Sequence, residues 1–236
     1  MMSHGQKIYE DSGKIFFEGN DPGTIVHFFK DDLLLNMKSV EIQGKGVINN
    51  RISEQAHMLL QDLDIPTTFI RSLNMREQLH AAGESLPVTI RIHNYTDLEF
   101  ERDYGVESGA KLPTPILELY GPTIHQHKKV ILPEHAEIFG WIMPEEFSFL
   151  KTTSNRINDI LFVFFKAAGY ELVSLNLEFT RIYFDEFEPP ILSFSGEISP
   201  ETCDVKPING EFIENTVEKI KAFYQNVAKG FHIIRG

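Results

Sequence analysis

A strict alternation of apolar and polar residues late in the chain is the feature that most constrains its fold. Between residues 173 and 179 every second side chain is apolar, and the polar ones between them are Ser174, Asn176 and Glu178. Successive side chains of a strand point to opposite faces, so this pattern predicts a strand with one buried and one polar face. Asn176 and Glu178 are therefore expected to share the polar face.

The segments on either side predict a helix before this strand and a hairpin after it. Apolar residues recur at helical spacing from about residue 144 to 168. An acidic, aromatic loop at 185–190 precedes a second apolar run at about 191–198, which indicates an antiparallel pair of strands. A final amphipathic helix is predicted from the spacing of Val217, Ile220, Phe223 and Val227.

The first third of the chain is predicted to be rich in strands, with one helix among them. β-Branched and aromatic residues, separated by turn residues, mark strands at about 14–18, 24–29, 67–71 and 88–93. The helix is predicted to begin near Asn50, which can cap it, and to end before Pro66.

Charge and composition exclude several classes of function. The 236 residues are 42% hydrophobic, and a formal net charge of −12 argues against a surface for nucleic acid or anionic membranes. The single cysteine, Cys203, excludes an intramolecular disulfide, and no apolar run is long enough to span a bilayer. A cytoplasmic protein is the resulting expectation.

Eight short segments, in one order along nearly the whole chain, carry a resemblance to a known family. They are 7–10, 29–32, 44–53, 74–77, 112–115, 139–141, 177–179 and 197–200, the third reading Gly-Lys-Gly-Val-Ile-Asn-Asn-Arg-Ile-Ser. Taken together they resemble the SAICAR synthetases, ligases of purine synthesis that join aspartate to the carboxylate of a carboxyaminoimidazole ribonucleotide.

The resemblance implies both a fold and a chemistry. The fold is α+β with two lobes, a small β-rich lobe expected at residues 1–88, a larger α+β lobe at 89–236, and ATP in the cleft between them. In the implied reaction ATP phosphorylates a carboxylate, and an amine attacks the acyl phosphate. ATP and magnesium are the implied cofactors and a small molecule or nucleotide the implied partner, while a homo-oligomer stays open.

The resemblance also assigns residues to the ATP side of the cleft. Lys14 matches the second lysine of the family's Gly-Lys-Ala-Lys turn, and Glu178 matches an acidic residue associated with ATP and magnesium. The acidic partner of that residue is replaced by Gly196. Glu197 follows it, and is a second candidate metal ligand if a bulge turns its side chain to the same face as position 196.

The substrate side departs more from the family pattern. Where the family has Arg-Asn-x-Ala-Ala-Gly-Ser, this chain has His93 and Glu99 at the ends of the segment, and two other family cations become Asn176 and Asp204. Charge-assisted hydrogen bonds contribute about 1.5–3 kcal/mol each, so these losses predict weak binding of a ribose phosphate. The residues predicted to lie on this side are Arg51, Asn94, Asn176 and Glu99.

Three hypotheses follow, and the sequence leaves all three open. The chain is an active SAICAR synthetase, or a paralogue that forms an amide from another carboxylate, or a non-catalytic homologue. Glu99 and the apolar run Leu33–Leu35, placed on the substrate side, favour the paralogue. Gly196 and Asn176 favour the non-catalytic homologue.

Overall fold

The computed structural model describes residues 5–35, 37–122, 129–185, 187–208, 210 and 216–233. The first part of the chain forms a five-stranded antiparallel sheet in the order β1-β2-β3-β7-β6, a small hairpin, β4-β5, and one long helix. The bounds are β1 (Lys7–Glu10), β2 (Lys14–Glu18), β3 (Thr24–Phe29), β4 (Asp32–Leu35), β5 (Lys38–Glu41), α1 (Lys45–Asp62), β6 (Phe69–Asn74) and β7 (Glu77–Ala81).

The rest of the chain forms a second antiparallel sheet of six strands, in the order β10-β9-β8-β11-β12, with β13 also paired to β11. The elements are β8 (Glu84–Tyr95), α2 (Leu98–Tyr104), β9 (Lys111–Tyr120), β10 (Val130–Ile131), α3 (Pro133–Ile138), α4 (Glu146–Ala167), β11 (Tyr170–Ile182), β12 (Ile191–Phe194), β13 (Cys203–Pro207) and α5 (Val217–Gly230). The predicted α+β class, the hairpin of β11 and β12, and the two late helices are confirmed.

The central strand β11 has the two faces predicted from its alternation. Leu175 and Leu177 are almost fully buried in the main core, together with apolar side chains of α1 and α4. On the other face Asn176 lies opposite Arg91 of β8, and Glu178 lies opposite Thr89. Burial of the apolar face on two helices leaves the polar face available for a site.

Helix α1 begins five residues earlier than predicted. Gly44, with a φ of 85°, precedes its first residue, and the carboxylate of Asp31 accepts the N–H groups of Gly44 and Gly46 at 3.2 and 2.9 Å. The first N–H groups of a helix have no partner within it, and here Asp31 satisfies two groups at this end. The cap comes from a residue distant in sequence, so the local preference of Asn50 for a cap does not decide the boundary.

The structure also bears on the predicted lobes. β8 is continuous from residue 84 to 95, so a boundary at residue 88 falls within a strand. Helix α1 belongs to the first range by sequence, yet Ile52, Ala56 and Leu60 pack in one core with α4 and β11. The division at 88/89 stays a prediction. In the described ranges, no helix combines the length and apolar character needed to cross a membrane.

Candidate active site

A cavity of about 300 Å³ lies between the first sheet and β11. Phe16, Ile25, His27 and His80 line one side, and Glu178 is among the residues on the other. The cavity is thus aromatic on one side and carries a carboxylate on the other. Such a shape suits a flat heterocycle that bears a charged group.

The histidines of this wall are neutral, and two hydrogen bonds fix the ring of His80. His80 Nε2 lies 3.0 Å from the side-chain oxygen of Gln78, whose amide nitrogen donates to the carbonyl of Asn50. His80 therefore donates from Nε2 and accepts at Nδ1 from the hydroxyl of Thr68, 2.9 Å away. Burial holds the pKa values of His80 and of His27, which stacks on it at 3.9 Å, well below their usual range.

A turn at residues 196–201, which follows Ser195 of the cavity wall, brings two carboxylates against two lysines. Lys14 Nζ lies 2.9 Å from Glu197 Oε2, and the hydroxyl of Ser199 donates to Glu197. Lys45, which is fully buried, forms an ion pair with Glu201. β12 ends at Phe194, so residues 195–198 are not a strand and the alternation expected there does not apply.

The charges in this turn shift one another's pKa values. Burial alone would lower the pKa of Lys14, but the carboxylates of Glu197 and Glu178 more than offset it and raise that pKa. Burial alone would raise the pKa of Glu197, but Lys14 and Ser199 hold it below its usual range. Burial and the neighbouring Glu197 raise the pKa of Glu201. Lys14 and Glu197 are therefore a charged pair at neutral pH.

The polar face of the second sheet continues from Glu178 to a cluster around Arg91. Arg91 Nη2 lies 3.1 Å from Asp204 Oδ2, 3.2 Å from the hydroxyl of Ser174, and 3.5 Å from Asp97 Oδ2. Glu99 approaches Nη1 at 4.0 Å. This face therefore presents one arginine surrounded by three carboxylates.

Three residues predicted for the ATP and metal side lie together. Lys14 contacts Glu197, Glu178 lines the cavity, and the charge of Glu178 acts on Lys14. Two of the residues predicted for the substrate side also lie on the polar face, Asn176 opposite Arg91 and Glu99 beside it. The same face of β11 thus connects both groups.

The other two predicted substrate-side residues do not join this group. Asn94 belongs to the opposite face of β8, where its amide and that of Asn158 in α4 exchange hydrogen bonds of 2.8 and 3.0 Å. Arg51 forms an ion pair of 2.7 Å with Glu54, one turn along α1. Asn94 therefore lies on the core side of β8, on the face opposite Arg91, and its substrate-side role stays a prediction.

The alternation of β8 would have identified Arg91, which the sequence-based prediction missed. Thr89, Arg91 and His93 alternate with the buried Ile90 and Ile92, so the three polar residues share one strand face. The position that the family fills with arginine is His93, and Arg91 lies two residues before it on the same face. Arg91 thus adds a cation to a face where family cations are replaced by His93 and Asn176.

Of the two carboxylates predicted to bind magnesium, only Glu178 has oxygens that the other described residues leave free to do so. Within the described ranges, no three His, Cys, Asp or Glu side chains converge as a metal-binding group. Both oxygens of Glu197 are engaged, one by Lys14 and one by Ser199, whereas Glu178 is exposed. Magnesium is commonly held by one or two carboxylates together with substrate phosphates. The residues therefore fit an ion that binds at Glu178 with a nucleotide, and not a site built by protein groups alone.

Comparison with known proteins places the whole chain in one family. The SAICAR synthetase family model matches residues 7–216. The phosphoribosylaminoimidazole-succinocarboxamide synthase of Gluconobacter oxydans is 35% identical over 241 residues, covering 99% of this chain and 94% of that protein. The protein of the same name from Parvibaculum lavamentivorans is 38% identical over 204 residues, covering 86% of this chain and 80% of its own length.

Solved structures show the same fold. The phosphoribosylaminoimidazole-succinocarboxamide synthase of Ehrlichia chaffeensis superimposes with a TM-score of 0.87 at 30% identity, covering 98% of this chain and all of that one. A SAICAR synthetase in complex with ADP superimposes with a TM-score of 0.85 at 23% identity, covering 97% and 98% of the two chains. The two-lobed fold expected from the sequence is confirmed.

Proposed function

The chain belongs to the SAICAR synthetase family, and from this premise we propose that it is an ATP-dependent ligase that forms SAICAR. It would join the amino group of aspartate to the carboxylate of a carboxyaminoimidazole ribonucleotide. The observation that carries the proposal is the Lys14–Glu197 pair beside Glu178 at the edge of an aromatic cavity. The relatives that match nearly the whole chain bear the name of this activity.

The site supplies what such a reaction requires of a protein, which is position and charge. The base of ATP would occupy the aromatic side of the cavity, on His27 and Phe16. Lys14 would place its ammonium against the phosphates, and Glu178 would hold magnesium with them. When bound, magnesium neutralises phosphoryl charge. The lysine lowers the barrier by the same electrostatic means, in a site that excludes part of the water.

A second candidate is a ligase of the same kind that acts on a carboxylate without a ribose phosphate. The observation in its favour is that Asp97, Glu99 and Asp204 surround Arg91, which disfavours a phosphate dianion. The apolar run Leu33–Leu35 does not support it. Leu33 and Leu35 pack against a small cluster that contains Ile42 and residues of α5, so their apolar character has a structural cause.

Ligand-dependent thermal stability of the full-length chain tests these proposals. A ligand that binds only the folded state raises the apparent stability, so ATP with magnesium is expected to raise the melting temperature. The carboxyaminoimidazole ribonucleotide should raise it further, and aspartate should then give stoichiometric release of phosphate. No shift with millimolar ATP would contradict both ligase proposals and leave the non-catalytic homologue.

A shift with ATP and none with the ribonucleotide would favour the second candidate. Glu178→Gln is the informative variant, because it keeps the shape of the side chain and removes its charge. It is expected to reduce the magnesium dependence of the ATP shift. Glu188→Gln, which removes a charge from the exposed loop after β11, is a matched control.

The cytoplasmic location and the lack of nucleic-acid binding stay predictions from the sequence, which leaves the oligomeric state open.

A further inference from the structure

Arg91 has one hydrogen-bonding edge that the described residues do not satisfy. Its Nη2 group is shared among Asp204, Ser174 and Asp97, whereas its Nε–H is buried and has no acceptor in the described part of the chain. The Nε and Nη2 groups of arginine point in parallel, and this edge matches the two oxygens of a carboxylate or phosphate. The unused Nε–H and the shared Nη2 together form a donor edge on which an acceptor with two oxygens could replace the present partners of Nη2.

The carboxylates around Arg91 differ in how firmly they are held. Asp97 caps α2, accepting the N–H groups of Glu99 and Phe100 at 2.9 and 3.1 Å, so its position is part of the fold. Asp204 lies in β13, the strand at the margin of the sheet, and its side chain is 58% exposed. Its carboxylate accepts hydrogen bonds from Ser174 at 2.5 Å and from Arg91.

We propose that Arg91 binds an oxyanion of the substrate through its Nε–Nη2 edge, and that Asp204 is an internal competitor that the oxyanion displaces. The proposal rests on the proposed function, in which the substrate carries both a phosphate and a carboxylate. Along β11, Ser174 lies four residues from Glu178, about 13 Å at 3.3 Å per residue. An oxyanion at Arg91 is therefore well separated from the ATP phosphates.

Displacement of Asp204 explains how one arginine among carboxylates can still bind an anion. When an oxyanion takes the Nε–Nη2 edge, the Asp204 side chain can turn to water at little desolvation cost, because it is already largely exposed. The repulsion between the Asp204 carboxylate and the bound oxyanion then falls, because the two charges are farther apart. Asp204 thus sets the affinity of this face for anions, and with it the charge of the substrate that the chain accepts.

Isothermal titration calorimetry of the full-length protein with ribose 5-phosphate tests the proposal, and succinate in a parallel titration distinguishes a phosphate from a carboxylate ligand. Asp204→Asn should bind the accepted probe about tenfold more tightly than the wild type, because the competitor loses its charge. Arg91→Lys should bind it about tenfold more weakly, because lysine keeps the charge and lacks the paired N–H edge. Ribose, which has no charge, is titrated in the same way and should not bind.

Arg102→Gln is the matched control. Arg102 lies on α2 and is exposed in an ion pair with Asp103, so its replacement changes the net charge by one unit, as Asp204→Asn does with the opposite sign, and should leave the affinity unchanged. Equal affinities of Asp204→Asn and the wild type would overturn the proposal, as would full affinity of Arg91→Lys. Failure of Asp204→Asn to bind either probe would also overturn it. The ATP shift of the wild type is measured separately, so a failure of the proposed function is recognised independently.

Discussion

Lys14 and Glu197 form an ion pair in which both side chains are largely removed from water. Their charged atoms lie 2.9 Å apart, with 15% and 3% of the two side chains exposed. Such a pair adds little net stability compared with apolar residues, but removal of one partner leaves the other charge buried alone. Each charge of the pair therefore stabilises the other in its buried position.

Lys14→Met is expected to destabilise the protein by about 3 kcal/mol, because Glu197 stays buried without its cation. Lys14→Met combined with Glu197→Gln should recover most of that loss. Urea unfolding of the two single variants and the double variant measures the coupling. Lys7→Met, in an exposed pair with Glu10, is the control and should have no measurable effect. If the double variant were no more stable than Lys14→Met, the two charges would not be coupled.

At the scale of the element, the start of α1 depends on a glycine and on a distant carboxylate. Asp31 accepts N–H groups at this end of the helix and is itself held by Arg76, whose Nη2 lies 2.6 Å from Asp31 Oδ2. Gly46 leaves no room for a side chain, because an added Cβ would lie 2.4 Å from the carbonyl oxygen of Phe29. The helix start is therefore fixed against β3 and the turn before β7.

Gly44→Ala is expected to lower the free energy of unfolding by about 1–2 kcal/mol, because the φ of 85° is strained for a residue with a Cβ. No atom lies within 4 Å of the added Cβ, so the effect is confined to the backbone. Gly44→Asn should be less destabilising, since asparagine adopts this conformation more readily. Denaturant unfolding measures both variants, and equal losses for alanine and asparagine would exclude backbone strain as the cause.

At the scale of the whole molecule, a buried histidine links the first sheet and α1 to the turn that carries Glu197. His57 of α1 donates from Nε2 to the carbonyl of Gly196 at 3.1 Å, and its ring stacks between Phe69 and Phe194. Burial lowers its pKa from 6.5 to about 4. His27 and His80 continue this aromatic contact toward the cavity.

Stability is expected to fall as the pH falls from 6.5 toward 4. The unfolded chain binds a proton at His57 in this window and the folded chain does not, so protons favour unfolding. For His57 alone the loss between pH 7 and pH 4 is about 3 kcal/mol, from 1.36 kcal/mol per unit of pKa. The lowered pKa values of His27 and His80 act in the same direction. Glu197, with a lowered pKa, contributes a further loss only below its usual range.

His57→Phe tests the origin of this pH dependence. The variant should lose about 3 kcal/mol less than the wild type between pH 7 and pH 4, although it is less stable at pH 7 because the hydrogen bond to Gly196 is gone. Chemical unfolding at a series of pH values gives both numbers. His135→Phe, at an exposed position of α3, removes one titratable group and is the control. A pH profile of His57→Phe parallel to that of the wild type would contradict the assignment.

The sequence alone determined the elements whose period is set by burial along one strand or helix. The alternation at 173–179 predicted both faces of β11, and helical spacing predicted α4 and α5 to within a few residues. The ordered segments also identified the family, and the resemblance named Lys14, Glu178 and Glu197, which the structure brings together and whose roles stay predictions. These features follow from local periodicity or from residues retained in order along the chain.

Tertiary structure alone decided which charges meet and which distant residue caps the start of α1. The carboxylate of Asp31 sets the start of α1 from outside the helix, the chain leaves the strand after Phe194 so that Glu197 meets Lys14, and Asp204 reaches Arg91 from another strand. These contacts join residues that are far apart in sequence. Their energies depend on burial and distance, which neither periodicity nor residue type contains, so they become defined only when the strands and helices pack together.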